Sequence, residues 1–137
     1  MASIDWSSAS SPTLADIEAM AEQAFARLPE DFRALCDGVV IRVEDFPDEE
    51  TLREMECETE FDLLGLFRGV GLAQGGEMMH TGQFPNMVWL YRRPLLDYWA
   101  ENEETLGHLV THVLVHEIGH HFGLSDEDME EIERRAG

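Results

Sequence analysis

The residues with the clearest chemical potential lie in H-E-I-G-H-H-F-G-L-S-D, residues 116 to 126. His116 and His120 are four positions apart, so on a helix both imidazoles lie on one face, where they can bind the same zinc ion. Glu117 is rotated by about 100° from His116, which places its carboxylate beside the ion and not on it. There it can take a proton from a metal-activated water and pass it on, as a general base and acid. The spacing therefore predicts a hydrolytic zinc site.

A third zinc ligand has to come from outside this pair, because catalytic zinc sites usually have three protein ligands and one position for water. Gly123 can adopt the left-handed conformation that ends a helix and turns the chain back, and Asp126 follows three residues later. We expect Asp126 to be the third ligand. The alternative is that Asp126 or Ser125 only caps the next helix, predicted for residues 127–135.

Three further histidines lie on the same predicted helix. His108 and His112 continue the four-residue row, but each step rotates by about 40° and rises by about 6 Å. We therefore expect His112 to contact a ligand and not the ion, and His108 to lie at the surface. His121 points about 100° away from His120 and is predicted to be a packing residue or to contact a metal ligand, without binding the ion itself.

The composition indicates one acidic domain. The chain has 137 residues with 29 acidic and 9 basic side chains, a net charge of -20, and 44% hydrophobic residues. A chain of this length usually forms one core, which we expect over residues 13–137, after a disordered leader at residues 1–12. The negative charge would repel nucleic acid and anionic lipid, so we expect neither nucleic acid nor a membrane as a partner. The expected partner, a peptide or an unfolded protein, follows from the predicted hydrolytic site and not from the charge.

Location and thiol chemistry follow from what the sequence lacks. It has no apolar run of bilayer-spanning length and no pattern of a secretory signal, which favours a cytoplasmic location. Cys36 and Cys57 have no partner in a metal-binding or redox motif, so we expect reduced thiols. Nothing in the sequence indicates an oligomeric state.

The helices and strands that must position the motif are predicted from hydrophobic periodicity and from capping, glycine and proline residues. Thr13 and Asp16 form a possible capping box at the start of an amphipathic helix. The other predicted elements are strands at residues 38–46, 61–68 and 87–91, an acidic loop or short helix within residues 44–60, and a long helix at residues 103–122. Pro85 and Pro94 flank the third strand, which favours an edge position where an extended peptide could bind. Residues 69–86, which include Met78, Met79 and His80, are predicted to be a mobile connection.

The chain resembles the small, acidic, bacterial zincin-like metallopeptidases with the HExxHxxGxxD motif. The resemblance is strongest at L-L-G-L-F-R-G (residues 63–69), V-W-L-Y-R-R-P-L (88–95) and H-E-I-G-H-H-F-G-L-S-D-E-D-M (116–129). It implies an α+β, reduced zincin-like fold: a small mixed β-sheet with the N-terminal helix and the active-site helix packed on one face, and a short C-terminal helix. It also implies one Zn²⁺ per chain, with His116, His120 and Asp126 as ligands and Glu117 as the catalytic acid and base.

The leading prediction is a zinc metallopeptidase, a hydrolase that cleaves peptide bonds with metal-activated water and Glu117. The alternative is a non-catalytic, zinc-dependent module on the same scaffold that binds a peptide or protein. Metal binding alone needs no carboxylate next to the first histidine, so Glu117 favours catalysis. His80, Tyr91 and His112 are all candidates for stabilising the oxyanion, and the sequence does not choose among them.

Overall fold

The protein is an α+β domain, as the sequence predicts. The structure, a computed structural model, describes residues 4–36, 38–69 and 86–136. Within these ranges it contains helices α1 (Leu14–Arg27), α2 (Glu30–Arg33), α3 (Glu49–Glu54), α4 (Arg92–Glu101), α5 (Leu106–His121) and α6 (Asp126–Ala136), and strands β1 (Val40–Glu44), β2 (Gly65–Arg68) and β3 (Met87–Tyr91). Two single 3-10 turns, Trp6–Ser8 and Ala34–Cys36, complete the described elements.

The three strands form one mixed sheet in the order β1-β3-β2. Strand β1 is parallel to β3, and β2 is antiparallel to β3. The expectation that residues 87–91 form an edge strand is therefore wrong: β3 is the central strand. Its Val88 and Leu90 are fully buried, and Pro94 lies beyond the paired residues, in α4, so it removes no hydrogen bond from either side of β3. Within the described residues, β2 pairs on one side only and is an edge strand.

Helices α1 and α5 pack on one face of this sheet and enclose the core, which confirms the predicted layer arrangement. Buried residues of α1 and α5 meet those of the strands in one cluster that includes Ile17, Ala21, Ile41, Phe67, Val88, Leu90, Leu109, Val110, Val113 and Leu114. The other face of the sheet borders a cavity of about 420 Å³, which Tyr91 lines together with Glu50 of α3. No helix in the described ranges is both long enough and apolar enough to cross a membrane.

The start of α1 has the predicted capping box. The Thr13 hydroxyl accepts a hydrogen bond from the Asp16 amide at 3.1 Å, and the Thr13 amide donates to the Asp16 carboxylate at 2.9 Å. Just before it, where the sequence predicts a disordered leader, the Arg92 guanidinium donates to the Pro12 carbonyl and the Ser11 hydroxyl. Ser11 and Pro12 are thereby held against the start of α4, and the boundary between leader and domain stays a prediction.

Gly65 lets the edge strand β2 approach α5 closely. A Cβ atom at this position would lie 2.7 Å from the Val113 side chain, 3.0 Å from the Trp89 carbonyl oxygen and 3.4 Å from Cγ of Glu117. The first two separations are shorter than normal van der Waals contacts, so any side chain at position 65 would push β2 away from α5. The position of β2 next to Glu117 therefore depends on a glycine.

We expect Gly65→Ala to lower the free energy of unfolding by about 1–3 kcal/mol, the usual cost of overpacking a filled interior. Urea denaturation measures this change. Gly107→Ala is the matched control: Gly107 lies in α5, and a Cβ atom there would have no neighbour within 4 Å. That control should be neutral or stabilising, because alanine favours a helix over glycine. Equal stability of Gly65→Ala and the wild type would contradict the close-approach interpretation.

Candidate metal centre

Helix α5 places the histidine motif on a rigid, buried element. Thr105 caps its first turn by accepting a hydrogen bond from the His108 amide at 3.1 Å. Eight residues of α5 are buried against the core: Leu106, Leu109, Val110, Val113, Leu114, Val115, Ile118 and Gly119. His116 and Glu117, by contrast, are only partly buried, so their side chains lie at the border between the core and solvent. This is the predicted helix, with its start three residues later than expected because Thr105 is the cap.

The chain turns at Gly123 as predicted. Gly123 has a φ of +77°, in the left-handed region that favours glycine. The Leu124 amide donates to the Gly119 carbonyl at 2.9 Å, and the Gly123 amide donates to the His120 carbonyl at 3.1 Å. This pair of bonds is a Schellman motif, which ends α5 and reverses the chain direction.

Asp126 is the first residue of α6 and is exposed. The hydrogen bonds that cap this helix involve Ser125 and Asp128: the Ser125 hydroxyl accepts from the Asp128 amide at 3.1 Å, and the Ser125 amide donates to the Asp128 carboxylate at 3.3 Å. Of the two capping alternatives left open by the sequence, the structure thus favours Ser125. The role of Asp126 as a zinc ligand stays a prediction.

Helix α6 runs back along α5 and brings a further carboxylate to the histidine row. Met129, fully buried, packs on Gly119, where a Cβ atom would lie only 2.5 Å from the Met129 sulfur. One turn further along α6, Oε1 of Glu133 lies 3.1 Å from Nδ1 of His112, and Oε2 lies 3.2 Å from Nε2 of His116. The two helices therefore converge on these three side chains.

His112, His116 and Glu133, which we call the upstream triad, can reach a common metal ion. One ligand atom from each lies within 4.8 Å of the other two, and no other three His, Cys, Asp or Glu residues within the described ranges meet this distance. Neither His120 nor Asp126 belongs to the group. The rings of His116 and His120 are 5.6 Å apart between centroids and nearly perpendicular, and His120 is exposed.

The state of His116 fits a bound cation. Its Nε2 atom is buried and forms no hydrogen bond with any residue that the structure describes, although the Glu133 carboxylate is 3.2 Å away. A buried nitrogen without a partner is costly, and a cation between it and the carboxylate would satisfy both. Burial, with a smaller contribution from the charge of His112, lowers the pKa of His116 and keeps the imidazole in the neutral form that binds metals.

Glu117 lies on the β2 side of α5. Its Cγ atom is one of the nearest neighbours of the Gly65 position, whereas the upstream triad faces α6. Burial raises the pKa of the Glu117 carboxyl to about 7. A carboxyl group that titrates near neutral pH is suited to accepting a proton and returning it, which is the predicted chemistry of this residue.

Comparison with known proteins gives the family. A family described as zincin-like metallopeptidase matches residues 36–136. The chain belongs to the zincin-like metallopeptidases. The matched segment contains the whole sheet, α5 and α6, so it includes every residue of the upstream triad and Glu117. A comparison with curated proteins found no match.

Four other candidate residues of this zincin-like protein have four different outcomes. His108 is 61% exposed, as predicted, with Nδ1 at 3.6 Å from the Glu104 carboxylate. His121 is a packing residue, as predicted, because its ring lies 4.4 Å from the ring of Phe67. Tyr91 lines the cavity on the other side of the sheet, where burial raises its pKa to about 12. His80 and the rest of the predicted mobile connection at residues 70–85 lie outside the described residues.

Glu133 is the residue that sequence reasoning missed in this zincin-like protein. Considered on α5 alone, His112 is too far along the helix to share an ion with both His116 and His120. The missing information is the return of α6. A signal for it exists: Met129 and Glu133 are four residues apart, so once Met129 faces α5, Glu133 faces α5 one turn further on.

Proposed function

We propose that this protein is a zinc-dependent metallopeptidase that cleaves peptides or unfolded proteins, with Glu117 as the catalytic base and acid. The observation that carries this proposal is the position of the Glu117 side chain, partly buried where α5 meets β2 and one residue after His116. A site that only stores metal needs no additional carboxylate that lies near the ligands without binding the ion. Membership of the zincin-like metallopeptidases supports the same chemistry.

The chemistry of the predicted ligands suits a zinc ion. His116 and His120 would hold it, with Asp126 as the predicted third ligand, and neutral imidazoles with one carboxylate are a donor set that zinc accepts. When bound, zinc supplies a Lewis acid that polarises a carbonyl group and makes water more acidic. The protein's own contribution is to hold these groups on the rigid α5 and to keep the His116 imidazole neutral.

Glu117 performs the proton transfers in this proposal. Its carboxylate accepts a proton from the attacking water and returns that proton to the amine that leaves when the peptide bond breaks. The side chain is partly buried against β2, and this packing restricts its motion, as a positioned catalytic base requires.

The edge of β2 is the proposed binding surface for the substrate. The sequence predicts β3 for this role, but β3 is the central strand and has no free edge. Strand β2 lies directly beside Glu117. An extended peptide can add to an open strand edge through main-chain hydrogen bonds, so the partner would be an unstructured segment and not a folded protein. The net charge of -20 favours peptides with basic residues.

Removal of metal tests the proposal directly. We expect a chelator to abolish cleavage of an unstructured peptide mixture, and one equivalent of Zn²⁺ per chain to restore it. Mass spectrometry of the products measures cleavage, and elemental analysis measures zinc. Cleavage that persists after chelation would contradict a metal-dependent mechanism. One bound zinc per chain with no cleavage would support the non-catalytic binding module instead.

A further inference from the structure

We propose that the upstream triad of His112, His116 and Glu133 is a second divalent-cation site, which overlaps the H-E-x-x-H pair at His116. Binding of an ion there does not depend on catalysis. Only the predicted effect on activity rests on the proposed function. The site would take Zn²⁺ or a similar cation that accepts nitrogen and oxygen ligands.

The donor atoms of the triad form a complete zinc-type set. Two imidazole nitrogens and one carboxylate are the protein ligands of many three-ligand zinc sites. Each carboxylate oxygen of Glu133 faces one histidine, at 3.1 Å from Nδ1 of His112 and 3.2 Å from Nε2 of His116. The two rings lie 4.0 Å apart between centroids, and one ligand atom of each of the three residues lies within 4.8 Å of the other two.

The buried Nε2 atom of His116 points to a ligand that the described residues do not supply. It forms no hydrogen bond with any described residue, although Glu133 is within reach. The Glu133 carboxylate is within ion-pair distance of this atom, but the contact lacks the geometry of a hydrogen bond. A cation between the nitrogen and the carboxylate satisfies both groups.

The triad is accessible to ions from solvent. The side chains of His112, His116 and Glu133 are 46%, 23% and 15% exposed. Glu133 also lines a cavity of about 360 Å³ on the side of α5 and α6 that faces α1. The net charge of -20 raises the local concentration of cations around the whole chain.

An ion in the triad would compete with the catalytic ion. A neutral imidazole offers one lone pair to a metal, so His116 can bind only one ion at a time. An ion bound by His112, His116 and Glu133 would therefore deprive the catalytic site of His116 and leave His120 without its partner ligand. The expected consequence is inhibition by zinc above the amount that the catalytic site requires.

Zinc binding to metal-free protein tests the site without any assay of activity. We expect His120→Ala, which breaks the H-E-x-x-H pair, to bind one Zn²⁺ per chain in calorimetry. Adding Glu133→Gln to this variant should raise the dissociation constant at least about tenfold, because residues that merely contact a metal ligand already contribute roughly 10–100-fold. Adding Glu130→Gln is the matched control, since Glu130 is exposed on the same helix, and it should leave the affinity unchanged.

Two results would overturn the proposal. One is that folded His120→Ala binds no zinc; the other is that Glu133→Gln in this background binds as tightly as the control. Circular dichroism checks the fold, and His120→Gln provides a second variant if alanine disturbs the end of α5. If no form of the protein cleaves peptides, the proposed function fails, but the binding result still decides this site.

The effect on activity is a separate measurement. The zinc concentration that halves each variant's own maximal rate should rise at least about tenfold in Glu133→Gln and stay at the wild-type value in Glu130→Gln. The same inhibitory concentration in all three proteins would show that the triad does not compete for His116.

Discussion

Replacing Glu117 with glutamine is expected to lower kcat/KM for peptide cleavage by about 10²–10⁴-fold, the usual contribution of a positioned general base. Glutamine keeps the length of the side chain and its packing near Gly65, but its amide cannot accept the proton of the attacking water. The measurement is cleavage of an unstructured peptide under zinc-saturated conditions, together with the zinc content of each protein. Zinc should be retained, since Glu117 lies beside the proposed ligands.

Glu130→Gln is the control for this experiment as well, because it removes the same charge from an exposed position on α6. It should cleave at the wild-type rate. Undiminished cleavage by Glu117→Gln would remove this residue from the mechanism. Loss of zinc together with loss of cleavage would show instead that Glu117 is a metal ligand, and the proposed division between ligands and base would then be wrong.

The parts of the fold that were predicted correctly depend on contacts between residues close in sequence. The Thr13 and Asp16 capping box spans three residues, and the turn at Gly123 uses hydrogen bonds over at most five. The apolar pattern of α5 predicts this helix but not its exact start, which the Thr105 cap sets three residues later than predicted. Such features are determined by local sequence, because the partners are brought together by the helix itself.

The order of the strands could not be predicted in the same way. Prolines at positions 85 and 94 indicate where a strand ends, and not which strands lie on either side of it. The register of β3 with β1 joins residues more than forty positions apart, such as Val40 and Met87. Such long-range pairing is set by how the whole sheet covers α1 and α5, so the central position of β3 became known only from the structure.

The candidate site likewise combines features set by local sequence with a feature set by long-range packing. The relation between His116, His120 and Glu117 follows from helix geometry, and it was available from the sequence. Glu133 joins the site only because α6 packs antiparallel on α5, and the close contact that permits this packing is at Gly119. A site built from two helices requires knowledge of both, and the sequence motif describes only the first.

The packing of α6 on α5 gives the second large effect that we expect. Met129 is fully buried and contacts the Gly119 position, so Met129→Ala should lower the free energy of unfolding by about 2–5 kcal/mol through loss of apolar contacts and formation of a cavity. Urea denaturation of metal-free protein measures this value. Glu130→Ala, the neighbouring exposed position, should change it by less than about 0.5 kcal/mol.

The same substitution connects stability to metal binding. Glu133 reaches the histidine row only while α6 stays docked, so in the His120→Ala background Met129→Ala should weaken zinc binding under conditions where the protein is still folded. Leucine at position 129 has a similar volume and should restore both properties to a large extent. If Met129→Ala is destabilised but binds zinc with unchanged affinity, zinc binding does not depend on the docking of α6, and the upstream triad is not the site of binding.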